Sequence, residues 1–172
     1  MILNKFIKNY NIVEGEKFNM KKIVQFIILA LLFTGCLERQ KSLESNISSR
    51  NIIVKHAKKY LGRPYRYGAT GPNSFDCSGF TYAVFKEVGI NIPRTSLAQS
   101  KIAGKKLSIY ELKEGDLLSF DTSLKGHINH SGIYIGNHKF IHASSGKAHS
   151  VTVSSLDGWY RDKFRWGKRL LK

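Results

Sequence analysis

DCSGF, residues 76–80, opens a run in which Phe80, Val84 and Val88 recur at steps of four before Gly89, a spacing that predicts a helix with Cys77 in its first turn. Asp76 or Ser78 can cap its free amides. Those amides and the helix dipole favour a thiolate, so the position has chemical meaning for a cysteine. Downstream, NHSGIYIG and KFIHAS add two imidazoles on strand-like segments, His130 and His142. A thiol is a weak nucleophile until a base draws off its proton, and these three side chains supply a nucleophile and its base. They point to an acyl-cleaving cysteine enzyme.

Outward from this helix the pattern sorts into two halves. Upstream, Ile53, Ala57 and Tyr60 have helical spacing, Gly62 and Pro64 stop it, and PYRYGATGPNSF reads as a glycine-rich loop. Downstream of Pro93 and a short helix at Ser96 to Ser100 the period changes. Gly115-Asp116 leads into LLSF, and Ser131 to Ile135, Lys139 to His142 and Ser150 to Ser154 follow as alternating strands. Gly136-Asn137-His138 reads as the connection of a hairpin. Helices first and antiparallel strands afterwards predict an α+β domain, with the N-terminal helices packed on one face of an antiparallel sheet. His130 and His142 then fall on adjacent strands and on one face, where one ring can orient the other.

From Met20 the chain reads MKKIVQFIILALLFTGC: a positive Lys21-Lys22, an apolar run from Ile23 to Phe33, and a small-residue pair before Cys36. The run falls short of the roughly 20 apolar residues of a membrane span. It resembles the signal and lipobox of bacterial lipoproteins, in which the signal, here 20–35, is removed and the cysteine, here Cys36, carries lipid such as palmitate. Residues 1–19 are then an upstream leader or a mis-assigned start. The polar, serine-rich stretch 36–50 reads as a flexible lipidated tether, and residues 51–172 as one folded domain without repeats. With the Cys36 sulfur consumed by lipid, Cys77 is left as a lone thiol.

The formal charge is +16, and residues 36–172 keep +13, from 23 Lys and Arg against 10 Asp and Glu. Such a balance attracts polyanions. The basic residues are scattered and not interleaved with aromatics, so they are assigned to solvated faces drawn to an anionic envelope, and no nucleic-acid partner is expected. His56, His138 and His149 fall on a helix, a turn and a loop with no zinc-ligand spacing. No metal or cofactor is expected.

Taken in order, PYRYG, DCSGF, PRTS followed by Gln99, GDLLSF, HSGIYIG and FIHAS resemble the NlpC family of bacterial cell-wall cysteine peptidases, which are similar to papain in their catalytic core. The resemblance runs from about Ile52 to the C-terminal region. It implies that Cys77 is the nucleophile, His130 the general base and His142 the residue that orients the base. It implies further that the Tyr65 hydroxyl lies near the oxyanion, and that Asp76, Ser78 and Ser96 line the acyl-side pocket; Asp76 reads equally well as a helix cap. Ser131 stands where that family carries an apolar residue, and His127 in the polar lead-in 125–129 is a competing imidazole, though HSGIYIG aligns on His130. The implied activity is hydrolysis of peptidoglycan stem peptides at γ-D-glutamyl-diamino acid bonds through a thioester, by a monomer anchored by lipid in the cell envelope and facing the wall. A thiol acyltransferase or amidase on another envelope substrate would use the same pair. A non-catalytic wall-binding protein would not need it. A thiol at a helix N-terminus beside an imidazole is expected to ionise below its ordinary value, and the imidazole above.

Overall fold

Helix α1 spans Met20–Lys59 in the computed structural model, which describes residues 20–171; the reading of 1–19 lies outside these. The chain divides into two units between Ser42 and Leu43. In the first, Ile27, Ile28, Leu29, Leu31 and Leu32 are exposed, as is Cys36. Among the described residues no helix is long and apolar enough to cross a membrane. The stretch 36–50 differs from the flexible tether expected, because it is helical throughout. It contains no Gly or Pro, and its Leu, Glu, Arg, Gln and Lys are strong helix formers. Glu38 and Lys41 also stand at a favourable i,i+3 spacing. The serines that suggested a tether weaken a helix only slightly.

In the second unit, Ile53 and Ala57 of α1 are buried, as their spacing predicted, whereas Tyr60, the third residue of that pattern, is half-buried. Ile53 and Ala57 pack with Phe80, Val84 and Phe85 of α2 (Cys77–Glu87) in one core. The sheet comprises β1 (Leu117–Phe120), β2 (His130–Tyr134), β3 (Lys139–Ala143), β4 (Val151–Ser155) and β5 (Phe164–Lys168). Its order is β4-β3-β2-β1-β5, and every neighbouring pair is antiparallel. This is the α+β arrangement expected. Strand β5 was not anticipated; it is short, two of its five residues are basic, and Gly167 interrupts its apolar pattern. The glycine is a packing requirement, since a Cβ there would stand 2.4 Å from the Leu112 side chain.

Side chains alternate across the sheet and build a core on each face. Leu117, Ile133, Ile141 and Ala143 join the helices. Leu118, Phe120, Tyr134 and Phe140 turn the other way, where Leu156, Leu112 and Tyr160 cover them. The β2–β3 turn is built as its residues suggest: Gly136, Asn137 and His138 all take left-handed backbone angles, with φ of 88°, 50° and 54°. It sets the register Ile133 opposite Ile141 and Tyr134 opposite Phe140.

The end of the chain is tied to the start of the sheet. Arg169 donates to both carboxylate oxygens of Asp116 at 3.0 and 2.8 Å and to the Glu111 carbonyl at 2.9 Å. Asp116, 1% exposed, also accepts the Lys113 amide at 2.8 Å. Removing one partner of a buried ion pair leaves an uncompensated charge, so Arg169→Ala should lower the unfolding free energy by about 3–5 kcal/mol, read by urea denaturation. Arg169→Lys should restore only part of this, because an ammonium cannot reproduce the forked contact.

Candidate active site

Helix α2 begins where Asp76 caps it, its Oδ1 accepting the Gly79 amide at 2.6 Å. The same carboxylate accepts the Gly68 amide at 2.9 Å, the Ser78 hydroxyl at 3.2 Å, and two Arg94 nitrogens at 3.0 and 2.5 Å. Burial alone would raise its pKa, but the Arg94 and amide hydrogen bonds outweigh this and hold it below the usual carboxylate value. Asp76 is therefore a cap and a brace whose oxygens are both taken by internal donors. Arg94, inside PRTS, had no role in the sequence reading. Its signal was its place between Pro93 and the short helix. Gly79 admits no side chain, since a Cβ there would lie 2.1 Å from the Ala69 carbonyl oxygen.

The cap sets the thiol in place. Cys77 Sγ lies 3.6 Å from the Ser96 hydroxyl and 3.9 Å from the Asn129 carbonyl, and the amides of Ser78 and Ser131 also turn toward it. Ser96 opens α3 (Ser96–Ser100). Gln99 of α3, fully buried, fixes this helix to α2 by donating to the Ser78 and Pro93 carbonyls at 3.0 and 2.9 Å and accepting from Thr81 at 2.9 Å. Tyr65 is held from the other side, its amide donating to the His149 carbonyl at 2.9 Å and its ring 5.6 Å from that of His149. Tyr65, Asp76, Ser78 and Ser96, all singled out in the sequence, line one cavity of about 490 Å³ together with Cys77 and Arg94.

The imidazoles come from the other face of the sheet. A 2.8 Å hydrogen bond joins His130 Nε2 to His142 Nδ1, and a 2.9 Å bond joins His142 Nε2 to the Ser154 hydroxyl. The hairpin register puts His142 opposite Gly132, two residues beyond His130, so the rings meet diagonally and not squarely across. The bareness of Gly132 makes this packing possible, because a Cβ there would come within 2.7 Å of the Phe140 ring. Tyr160, absent from the sequence reading, stacks 6.1 Å from His130 and stands edge-on 5.2 Å from His142. Two proton arrangements satisfy the ring chain. In one of them His130 donates from Nε2, His142 donates to Ser154, and Nδ1 of His130 is left free to accept a proton. Ser154 carried no signal beyond strand alternation. His127 is exposed and lines neither of the two cavities that contain Cys77 and His130. Ser131 is buried opposite Ser119 of β1.

Ionisation departs from the expected ion pair. Burial lifts the Cys77 thiol above its ordinary value, with the Ser96 hydrogen bond opposing and the Asp76 charge adding to the rise. Burial pushes His130 down to about 4 and lowers His142 well below the usual imidazole value. No hydrogen bond joins Sγ to His130. At Cys77 desolvation outweighs the helix-terminal amides, so both shifts favour the uncharged forms of the thiol and the imidazole.

The model of the NlpC/P60 family matches residues 62–170. A Haemophilus influenzae protein described as a probable endopeptidase NlpC homolog is 45% identical over 129 residues, 74% of this chain and 66% of that one. A gamma-DL-glutamyl hydrolase of Bacillus subtilis is 38% identical over 109 residues, 62% of this chain and 26% of its own. The chain thus spans less than two thirds of either relative. Among solved structures, the NlpC/p60 domain of the peptidoglycan hydrolase SagA superposes with a TM-score of 0.62 at 35% identity, over 70% of this chain and 98% of that domain.

The buried imidazole has a cost that pH exposes. Below pH 6.5 the unfolded His130 takes up a proton that the folded one refuses until about pH 4, so stability falls as pH drops through that window. The loss should reach about 3 kcal/mol. Urea unfolding between pH 7 and pH 4 should show a correspondingly shallower decline in His130→Gln.

Proposed function

The chain belongs to the NlpC/P60 family, and from that premise we infer that it is a peptidoglycan stem-peptide hydrolase that cuts an amide with the Cys77 thiol. The observation that carries this reading is the placement of the thiol at a capped helix N-terminus beside a cavity, with a hydrogen-bonded chain of His130, His142 and Ser154 on the neighbouring strands. In the free-Nδ1 arrangement, His130 takes the thiol proton as sulfur attacks the carbonyl carbon. Burial disfavours the charged form of each group, so we have this transfer accompany attack instead of preceding it. The Ser78 and Ser131 amides stabilise charge at sulfur, and the Tyr65 hydroxyl donates to the oxyanion. The imidazolium then protonates the leaving amine as the C–N bond breaks, leaving a thioester on Cys77. Water activated by His130 hydrolyses the thioester, returning a carboxylic acid and the free thiol. The bond we favour joins γ-D-glutamate to a diamino acid, in keeping with the glutamyl hydrolase named among the relatives.

The test is mass spectrometry of muropeptides released from purified sacculi. Wild type should release peptides cut after γ-D-glutamate with a new free amine. Cys77→Ser should remain folded and release none, and His130→Ala should be nearly as inactive, with His127→Ala near wild type. Acyl groups transferred to added amines in preference to water would favour the acyltransferase reading.

We also propose that Cys36 is lipidated after removal of residues 20–35, placing a monomeric enzyme on a membrane of the cell envelope, facing the wall. The exposed apolar side chains of Ile27, Ile28, Leu29, Leu31 and Leu32 and the exposed Cys36 thiol support this reading. Metabolic labelling with an alkyne fatty acid should mark wild type and leave Cys36→Ser unmarked; label that persists without Cys36 removes the anchor.

A further inference from the structure

The thiol and the imidazole line different cavities. Cys77 lines the smaller, described above, and His130 lines a second of about 870 Å³. Its lining residues include Ser144, Ser154, Trp159, Tyr160 and Lys147; Lys147 is the one among them that carries a charged side chain, and none is an acid. No ion pair joins Lys147 to any described residue. Trp159 is 61% exposed and is fixed from one side by Lys163, whose ammonium lies 4.1 Å from the ring centroid and donates to the Trp159 carbonyl at 3.0 Å.

We propose that this second cavity is the leaving-group subsite, and that Lys147 selects a leaving residue whose side chain ends in a carboxylate. The inference rests on the hydrolase reading above. Amide cleavage leaves the acyl half on sulfur and the amine half on the group that protonates it. The acyl half therefore belongs to the cavity that holds Cys77, and the amine half to the cavity that holds His130. There the leaving residue meets hydroxyls, two rings and a single unpaired cation. A diamino acid of the diaminopimelic type brings a carboxylate at the far end of its side chain, which Lys147 attracts. A lysine in the same place brings only an ammonium, which Lys147 repels.

Three synthetic peptides test this on the full chain. Each is L-alanyl-γ-D-glutamyl-X-D-alaninamide, with X as meso-diaminopimelate, its side-chain carboxamide, or L-lysine, so that only the far end of X changes. An exposed ion pair is worth up to about 1 kcal/mol, so kcat/KM for the carboxylate should exceed that for the carboxamide by about two- to five-fold, the lysyl peptide should be no better than the carboxamide, and the preference should shrink with added salt. The carboxylate-to-carboxamide ratio should collapse to about one in Lys147→Gln and persist in Lys147→Arg. Equal rates for all three peptides in wild type overturn the subsite and leave the hydrolase standing. A preference that survives Lys147→Gln overturns the role of Lys147. Failure to cleave any of the three brings down the hydrolase reading, and the subsite with it.

Discussion

The Asp76 carboxylate is the constraint on which the site depends. Its donors come from the loop before α2 (Gly68), from the helix's own first turn (Ser78 and Gly79) and from the segment before α3 (Arg94). Each of these pieces would otherwise present unpaired polar groups at a buried junction, where an unmade hydrogen bond costs about 1–3 kcal/mol. By gathering them, one side chain aims the helix, closes the loop over it and brings Ser96 within reach of the sulfur. The bare Gly79 belongs to the same arrangement, because the Ala69 carbonyl occupies the space a side chain would need.

Thiol and imidazoles are delivered by different layers. Cys77 rides on a helix packed against one face of the sheet, whereas His130 and His142 lie among the aromatic residues of the other. This aromatic packing orients the rings and also desolvates them. Orientation and depressed basicity thus have one physical origin, so a better-packed base is also a weaker one in the resting enzyme.

Much of this was legible in the chain. The step-of-four pattern after Cys77 and the burial of Ile53 and Ala57 follow from apolar spacing, and the turn at Gly136-Asn137-His138 from residues that tolerate left-handed angles. The pairing of His130 with His142 was readable because strand alternation puts both on one face, although the diagonal offset was not. What stayed hidden depends on long-range contact. Arg94 and Ser154 act through partners 18 and 12 residues away, and Tyr160 through ring packing from a segment with no periodic signal. β5 is completed by pairing with β1 more than by its own pattern. The helical course of 36–50 is the opposite case, in which the helix propensity of its Leu, Glu, Arg, Gln and Lys outweighs its serine content. The ionisation of the pair could not be read at all, since desolvation is a property of the folded surroundings.

The hairpin between β2 and β3 also limits how this protein can vary. Successive strand residues face opposite sides, so a single inserted or deleted residue between Tyr134 and Lys139, if the strands re-paired in step, would carry His142 to the side now held by Ile141 and bring an aliphatic chain to His130. Changes of two residues would keep the parity. The connection, though it lies at the surface where lengths usually drift freely, is therefore under an even-number rule, and the separation of the two histidines along the chain is a mechanical dimension of the site in the same sense as the distance between their rings.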